Sequence, residues 1–302
     1  MAAKWALGTA QLGQPYGIAN KAGKPPRKRA REILQTAVAA GVAYLDTAPV
    51  YGNSENIIGD YIRKQSSSST IPSIVTKLPA VRLHPLDQTS IDDFVRQSVQ
   101  SSIHRLHVPH IDVYLLHDPA DLTSHGGNVI SALSTIKEEG LVKRIGVSVY
   151  TPGEAETALR LGCLDAIQIP LNILDHRFLR THLLKRLTLS GMVVFARSIY
   201  LQGLILMEPE NVPRPLERAR EPLRKLRLLA RELDMTPAQL SLCFVRDLPG
   251  LDSMILGCET LEQLRQNLRV IRSPSLPEAV RRRIEHLFGD LPDAVINPVQ
   301  WR

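Results

Sequence analysis

Residues 30–46, Ala30-Arg31-Glu32-Ile33-Leu34-Gln35-Thr36-Ala37-Val38-Ala39-Ala40-Gly41-Val42-Ala43-Tyr44-Leu45-Asp46, carry the pattern from which the fold follows. Ala30, Ile33, Leu34, Ala37 and Val38 recur at helical spacing and make one apolar stripe. Gly41 stands where a helix end favours a left-handed residue, and Val42–Leu45 then reads as a strand. The same rhythm continues in both directions. It predicts strands at Trp5–Gly8, Val42–Leu45, Ser73–Thr76, Ile111–Leu116, Ile145–Ser148, Ala166–Ile169, Met192–Ala196 and Ser253–Leu256.

The helices between them carry their own start signals. Thr151-Pro152-Gly153-Glu154 and Thr236-Pro237-Ala238-Gln239 each offer a capping hydroxyl, an early proline and a side chain that can close a capping box. Thr260-Leu261-Glu262-Gln263 repeats the device without proline, and Ile91, Val95, Val99 and Ile103 mark another amphipathic helix. Strands alternating with helices imply parallel pairing through right-handed crossovers. The expected architecture is an α/β chain, a (β/α)8 TIM barrel forming one domain over residues 1–302. An open doubly wound sheet is the competing arrangement. Ser66–Ser69 reads as a loop, and Met207–Pro215 as an excursion over the barrel mouth.

Composition narrows the function classes. A net charge of +7 suits an anionic ligand such as a dinucleotide, and equally a surface excess of arginine. Basic clusters such as Arg27-Lys28-Arg29 and Arg281-Arg282-Arg283 lack interleaved aromatics, which argues against nucleic acid. Cys163, Cys243 and Cys258 have no metal-ligand spacing and suggest a reducing compartment, with neither a metal nor a disulfide framework. With no signal-like or membrane-spanning apolar run, the expectation is a cytoplasmic protein without membrane contact. Oligomeric state is not legible.

In such a barrel the chemistry lies at the C-terminal ends of the strands. Those positions hold Asp46 with Tyr51 in the following loop, Lys77, and His117. A phenol is a weak acid at neutral pH; a nearby ammonium lowers its pKa, and a carboxylate keeps that ammonium charged and aimed. Tyr51 could then protonate a developing alkoxide while His117 orients and polarises the carbonyl. Singly, each residue has an ordinary structural reading as cap, packing or solvated charge. Together, on adjacent strand ends, they read as a site.

Leu45-Asp46-Thr47-Ala48-Pro49-Val50-Tyr51-Gly52-Asn53-Ser54-Glu55, with Lys77 and His117 in their own contexts, resembles the aldo-keto reductase family, and the likeness covers nearly the whole chain. The resemblance implies an NAD(P)H-dependent oxidoreductase in which Asp46, Tyr51, Lys77 and His117 form the catalytic tetrad. It assigns cofactor contacts to Gly8, Thr9, Asp46, Ser148, Gln168, Arg197, Ser198, Gly257, Cys258, Glu259, Gln263 and Asn267. The N-terminus of the helix opened by Thr260 could also receive a phosphate. The family binds its cofactor without a Gly-x-Gly-x-x-Gly fingerprint, and none is present after the first strand.

Three positions depart from the family pattern. Val149 replaces a common asparagine, Arg197 stands where an aromatic residue usually stacks on nicotinamide, and Glu259 places a carboxylate where a 2′-phosphate would bind. The family's usual NADPH is the expectation, with NADH left open by Glu259. Tyr16, Tyr150, Tyr200 and Trp301 are candidate aromatic walls for a small carbonyl substrate. The polarity around Asn20-Lys21 and Asp118 suggests a sugar-like one. Two other readings compete: a catalytically silent, cofactor-sensing regulatory barrel, and an aldolase or isomerase forming a Schiff base on Lys77.

Overall fold

The structure is a computed structural model and describes residues 4–65 and 71–301; the loop expected at Ser66–Ser69 lies outside the described residues. Eight parallel strands pair in chain order: β1 (Lys4–Gly8), β2 (Tyr44–Asp46), β3 (Ser73–Leu78), β4 (Val113–Leu116), β5 (Ile145–Ser148), β6 (Ala166–Pro170), β7 (Val193–Arg197) and β8 (Ser253–Gly257). β8 then pairs back on β1, from Lys4 with Ser253 to Gly8 with Gly257, which closes the barrel and excludes the open sheet.

The two-residue period of a strand decides what fills the barrel. Ala6, Val75, Val113, Leu115, Ala166, Phe195 and Ile255 form an inner cluster. Their alternate neighbours, among them Leu7, Ile74, Leu116, Val147, Ile167, Val194 and Leu256, join the larger core shared with the helices. Continuing each inward series by two residues reaches Gly8, Asp46, Lys77, His117, Ser148, Gln168, Arg197 and Gly257, one position per strand. The site is the top inward layer of the barrel.

Local signals account for most of the helical layer. Helix Arg27–Ala39 buries Ala30, Ile33, Leu34 and Ala37, and Gly41 closes it at φ +81°. Val42 donates its N–H back to Ala37 O, so it finishes the helix, and β2 starts later than expected, at Tyr44. β4 likewise starts at Val113, because Ile111 makes only an isolated bridge with Val142. β3 runs on to Leu78 and takes in Lys77.

The capping boxes at Thr151 and Thr236 are complete. At Thr260 only half the box forms: its hydroxyl accepts from Gln263 N at 3.2 Å, but the Gln263 side chain accepts from Glu259 N at 2.7 Å instead. Met207–Pro215 does not cover the mouth. It forms short turns packed on helix Arg220–Glu232, where Arg227 meets Glu208 at 3.0 Å, and the mouth is covered by the preceding Ser198–Leu206. Among the described residues no helix is long and apolar enough to cross a membrane.

Candidate active site

A hydrogen-bonded chain crosses the barrel interior. Asp46 Oδ1 accepts from Lys77 Nζ at 2.9 Å and from Gln168 Nε2 at 2.8 Å. Lys77 Nζ also donates to Thr47 O at 2.8 Å, and Ser148 Oγ donates to Gln168 Oε1 at 3.3 Å. All four side chains are buried, so the carboxylate and ammonium meet in a low-dielectric interior that makes either one costly alone.

Tyr51 reaches this group from the loop after β2. Its ring centroid lies 5.0 Å from Lys77 Nζ and 5.8 Å from the His117 ring, which stands edge-on. Close backbone approach holds that loop: a Cβ on Gly13 would fall 1.8 Å from Tyr51 O, so glycine there lets the Tyr51 turn sit against the barrel. The four residues expected to act together therefore share one place.

Their electrostatics differ from expectation in one respect. The Tyr51 phenol is pushed up rather than down, first by burial and then by the Asp46 carboxylate; Arg197 pulls the other way. The Lys77 ammonium is turned to Asp46 and Thr47 O. His117 is pushed down to about 3 by burial, Lys77 and Arg197, so its imidazole is neutral at pH 7.

These groups open into a cavity of about 560 Å³, within the range of ~300–1,000 Å³ usual for small-molecule sites. Gly8, Asp46, Ser148, Gln168, Arg197, Ser198, Gly257, Cys258, Glu259, Gln263 and Asn267 all line it. Arg197 is held by neutral groups: Nη2 donates to Val149 O at 2.8 Å, Nη1 donates to Ser198 Oγ at 3.1 Å, and Cζ lies 4.6 Å from the Tyr150 ring centroid. Its buried Nε has no partner among the described residues. Tyr200 donates to Asn267 Oδ1 at 2.7 Å, burial pushes the Cys258 thiol up to about 12, and the Glu259 carboxyl is also raised by burial.

Several expected contacts lie elsewhere. Thr9 is off the inward series and does not line the cavity; its hydroxyl donates to Asp46 O at 2.8 Å and fastens β1 to β2. Lys77 sits behind Asp46 and Tyr51, also off the cavity wall. Tyr16, Tyr150 and Tyr200 are wall residues, whereas Trp301 is not. Asn20 shapes its own loop through Tyr16 O and Gly23, Asp118 pairs with Arg82 at 2.6 Å, and neither they nor Lys21 reach the cavity. The Asn20 and Asp118 side chains are thus engaged in loop structure.

Sequence reasoning missed Gln11, Ile199, Gln202 and Leu206 in the wall. Gln11 follows Gly8-Thr9 closely enough to have been suspected. The others belong to a loop whose shape no local signal announces: Ser198, Leu201 and Gln202 adopt φ of +62°, +48° and +54°, and Gln202 O accepts from Ile18 N at 3.0 Å across the mouth. Non-glycine residues in that region are strained and persist only when surrounding contacts hold them.

Comparison with known proteins agrees with this geometry. Residues 4–287 match the model of the aldo/keto reductase family. An uncharacterized oxidoreductase of Bacillus subtilis (strain 168) is 25% identical over 284 residues, covering 90% of this chain and 92% of its own. An NADH-specific methylglyoxal reductase of Escherichia coli (strain K12) is 25% identical over 262 residues, with coverage of 76% and 79%. Among solved structures, the holo form of an aldo-keto reductase from Bacillus halodurans superposes with a TM-score of 0.73 at 20% identity, over 99% of this chain and 95% of that one. With the closed barrel, the residues at its rim and a family match over nearly its whole length, this chain belongs to the aldo/keto reductase family and is an NAD(P)H-dependent oxidoreductase.

Proposed function

We propose that the protein reduces a small aldehyde or ketone to the alcohol, with Tyr51 as proton donor, the Asp46–Lys77 pair as its electrostatic support and His117 orienting the carbonyl. The observation that carries this reading is the meeting of those four side chains at one rim of the barrel, with Asp46, Tyr51 and His117 on the wall of one cavity and Lys77 directly behind them. A reduced nicotinamide bound in the cavity supplies the hydride.

The residues fit such a group. Ser148 and Gln168 offer hydrogen bonds for a carboxamide, Gln263 and Asn267 line the wall suited to an adenosine, and Gly8 and Gly257 leave room where their strands adjoin. Tyr51 keeps its proton until an alkoxide, a far stronger base, forms beside it. Neutral His117 can donate one N–H to the carbonyl oxygen without competing as an acid.

For the cofactor we infer NADH rather than the NADPH expected from the family. Along the wall from Gly257 to Asn267 the only charged lining residue is Glu259, a carboxylate that repels a 2′-phosphate. The NADH-specific relative supports this choice. Purified protein is expected to turn over 4-nitrobenzaldehyde with NADH and to bind NADPH at least tenfold more weakly. Tyr51→Phe should lower kcat by about 10²–10⁴ while leaving cofactor affinity unchanged. Unaltered turnover in that variant would refute the assignment of Tyr51. Cofactor binding without turnover of any carbonyl would mark a cofactor-sensing barrel instead.

A further inference from the structure

Arg197 is the only lysine or arginine among the described residues lining the cavity. The other fixed charges there are unlike it. Asp46 is neutralised by Lys77 at 2.9 Å, and His117 is uncharged at neutral pH. Glu259 stands beyond β8, with Gln263 and Asn267. Arg197 itself has no carboxylate partner among the described residues; a backbone carbonyl, a hydroxyl and an aromatic face hold it. The end of the cavity marked by Tyr51, Ser148 and Gln168 therefore carries one uncompensated positive charge. It is partly buried, where water screens it less than at the surface.

We propose that Arg197 biases the site toward the reduced cofactor, so that this chain binds NADH more tightly than NAD+. This rests on the function proposed above, which puts the nicotinamide against Ser148 and Gln168. Oxidised nicotinamide is a cation and reduced nicotinamide is neutral, so a fixed guanidinium disfavours only the first. A neutral aromatic side chain at this position would carry no such repulsion, and its ring face would attract the cation instead. The balance on the protein shifts accordingly. When one proton and two electrons pass together as hydride from a carbinol carbon to NAD+ and the hydroxyl releases a second proton, the carbonyl and NADH are favoured more than in free solution. The chain is thereby suited to oxidising an alcohol as well as reducing a carbonyl.

Calorimetric titration of the whole protein with NADH and with NAD+ tests this. Wild type is expected to bind NADH about tenfold or more tighter than NAD+. Arg197→Gln should collapse most of that ratio, chiefly by tightening NAD+, while Arg197→Lys, which keeps the charge and loses the planar group, should retain it. A wild-type ratio near one, a ratio unchanged in Arg197→Gln, or loss of the ratio in Arg197→Lys would each overturn the proposal. Should the glutamine variant fail to fold, Arg197→Met removes the charge in its place and is read in the same way. Failure to bind either dinucleotide would instead remove the functional reading on which it rests.

Discussion

Two buried carboxylates flank β3, one on each face, and they do different work. Inside the barrel, Asp46 meets Lys77, with side chains 6% and 1% exposed, and shares an oxygen with Gln168. Outside it, Glu55 on helix Ser54–Ile62 accepts from Thr76 at 2.7 Å and from Arg105 at 2.6 Å; its side chain is 2% exposed and that of Arg105 is 32%. Thr76 and Lys77 are chain neighbours, so the strand's alternation sends one to each carboxylate. The outer pair ties β3 to two helices and touches no cavity. The inner pair stands beside an open space and next to a phenol. A buried ion pair is weak evidence for stability on its own, and what lies beside it decides whether it serves the fold or the chemistry.

The largest contrast is expected from removing the cation on the inner face. Lys77→Met should lower kcat by about 10²–10⁴ and also cost roughly 3–5 kcal/mol of stability, because Asp46 is left buried without its counter-charge. Steady-state kinetics and denaturant unfolding of the same preparation measure both. Full activity in that variant would leave the two ion pairs functionally alike.

The outer face should answer in stability alone. Glu55→Gln keeps the shape and the Thr76 contact but loses the charge, and about 1–3 kcal/mol of unfolding free energy should go with it. kcat should change by no more than about threefold, since no Glu55 atom reaches the cavity. A loss of activity as large as that of Lys77→Met would make the outer pair part of the site.

pH sharpens the comparison. His117 falls from an ordinary imidazole value to about 3, so the folded protein binds fewer protons than the unfolded chain between about pH 3 and pH 6.5. Its contribution to stability is complete above about pH 6.5 and is lost as pH falls toward 3. His176, pushed down to about 4 by burial, acts in the same direction. His117→Gln should therefore lose less stability than wild type between pH 7 and pH 4 while still showing the part due to His176. Parallel acid limbs for the two proteins would contradict a neutral His117.

The smallest effect belongs again to the outer face. The Tyr114 hydroxyl is buried without a partner among the described residues, and the phenol is pushed up by burial and by Glu55. Tyr114→Phe removes an unsatisfied group, so thermal unfolding should show no loss and a gain of up to about 1 kcal/mol. A clear destabilisation would mean that the hydroxyl is bonded in solution.

Much of this is legible in the sequence. Helix stripes, glycine ends and two of the three capping boxes were read correctly, because each depends on residues within one turn of each other. Asp46, Tyr51, Lys77 and His117 could be placed together, because the end of a barrel strand is a position that pattern alone can locate. Three-dimensional packing settled the remainder. It turned Thr9 into a β1–β2 fastener and sent the Lys77 ammonium toward Asp46 and Thr47 O. It also let burial dominate the Tyr51 phenol and carried Ser198–Leu206 over the mouth in place of Met207–Pro215. Periodicity and capping are short-range, so the chain order of residues contains them. Burial, the direction of a charge and the path of a strained loop depend on groups that only chain closure brings together.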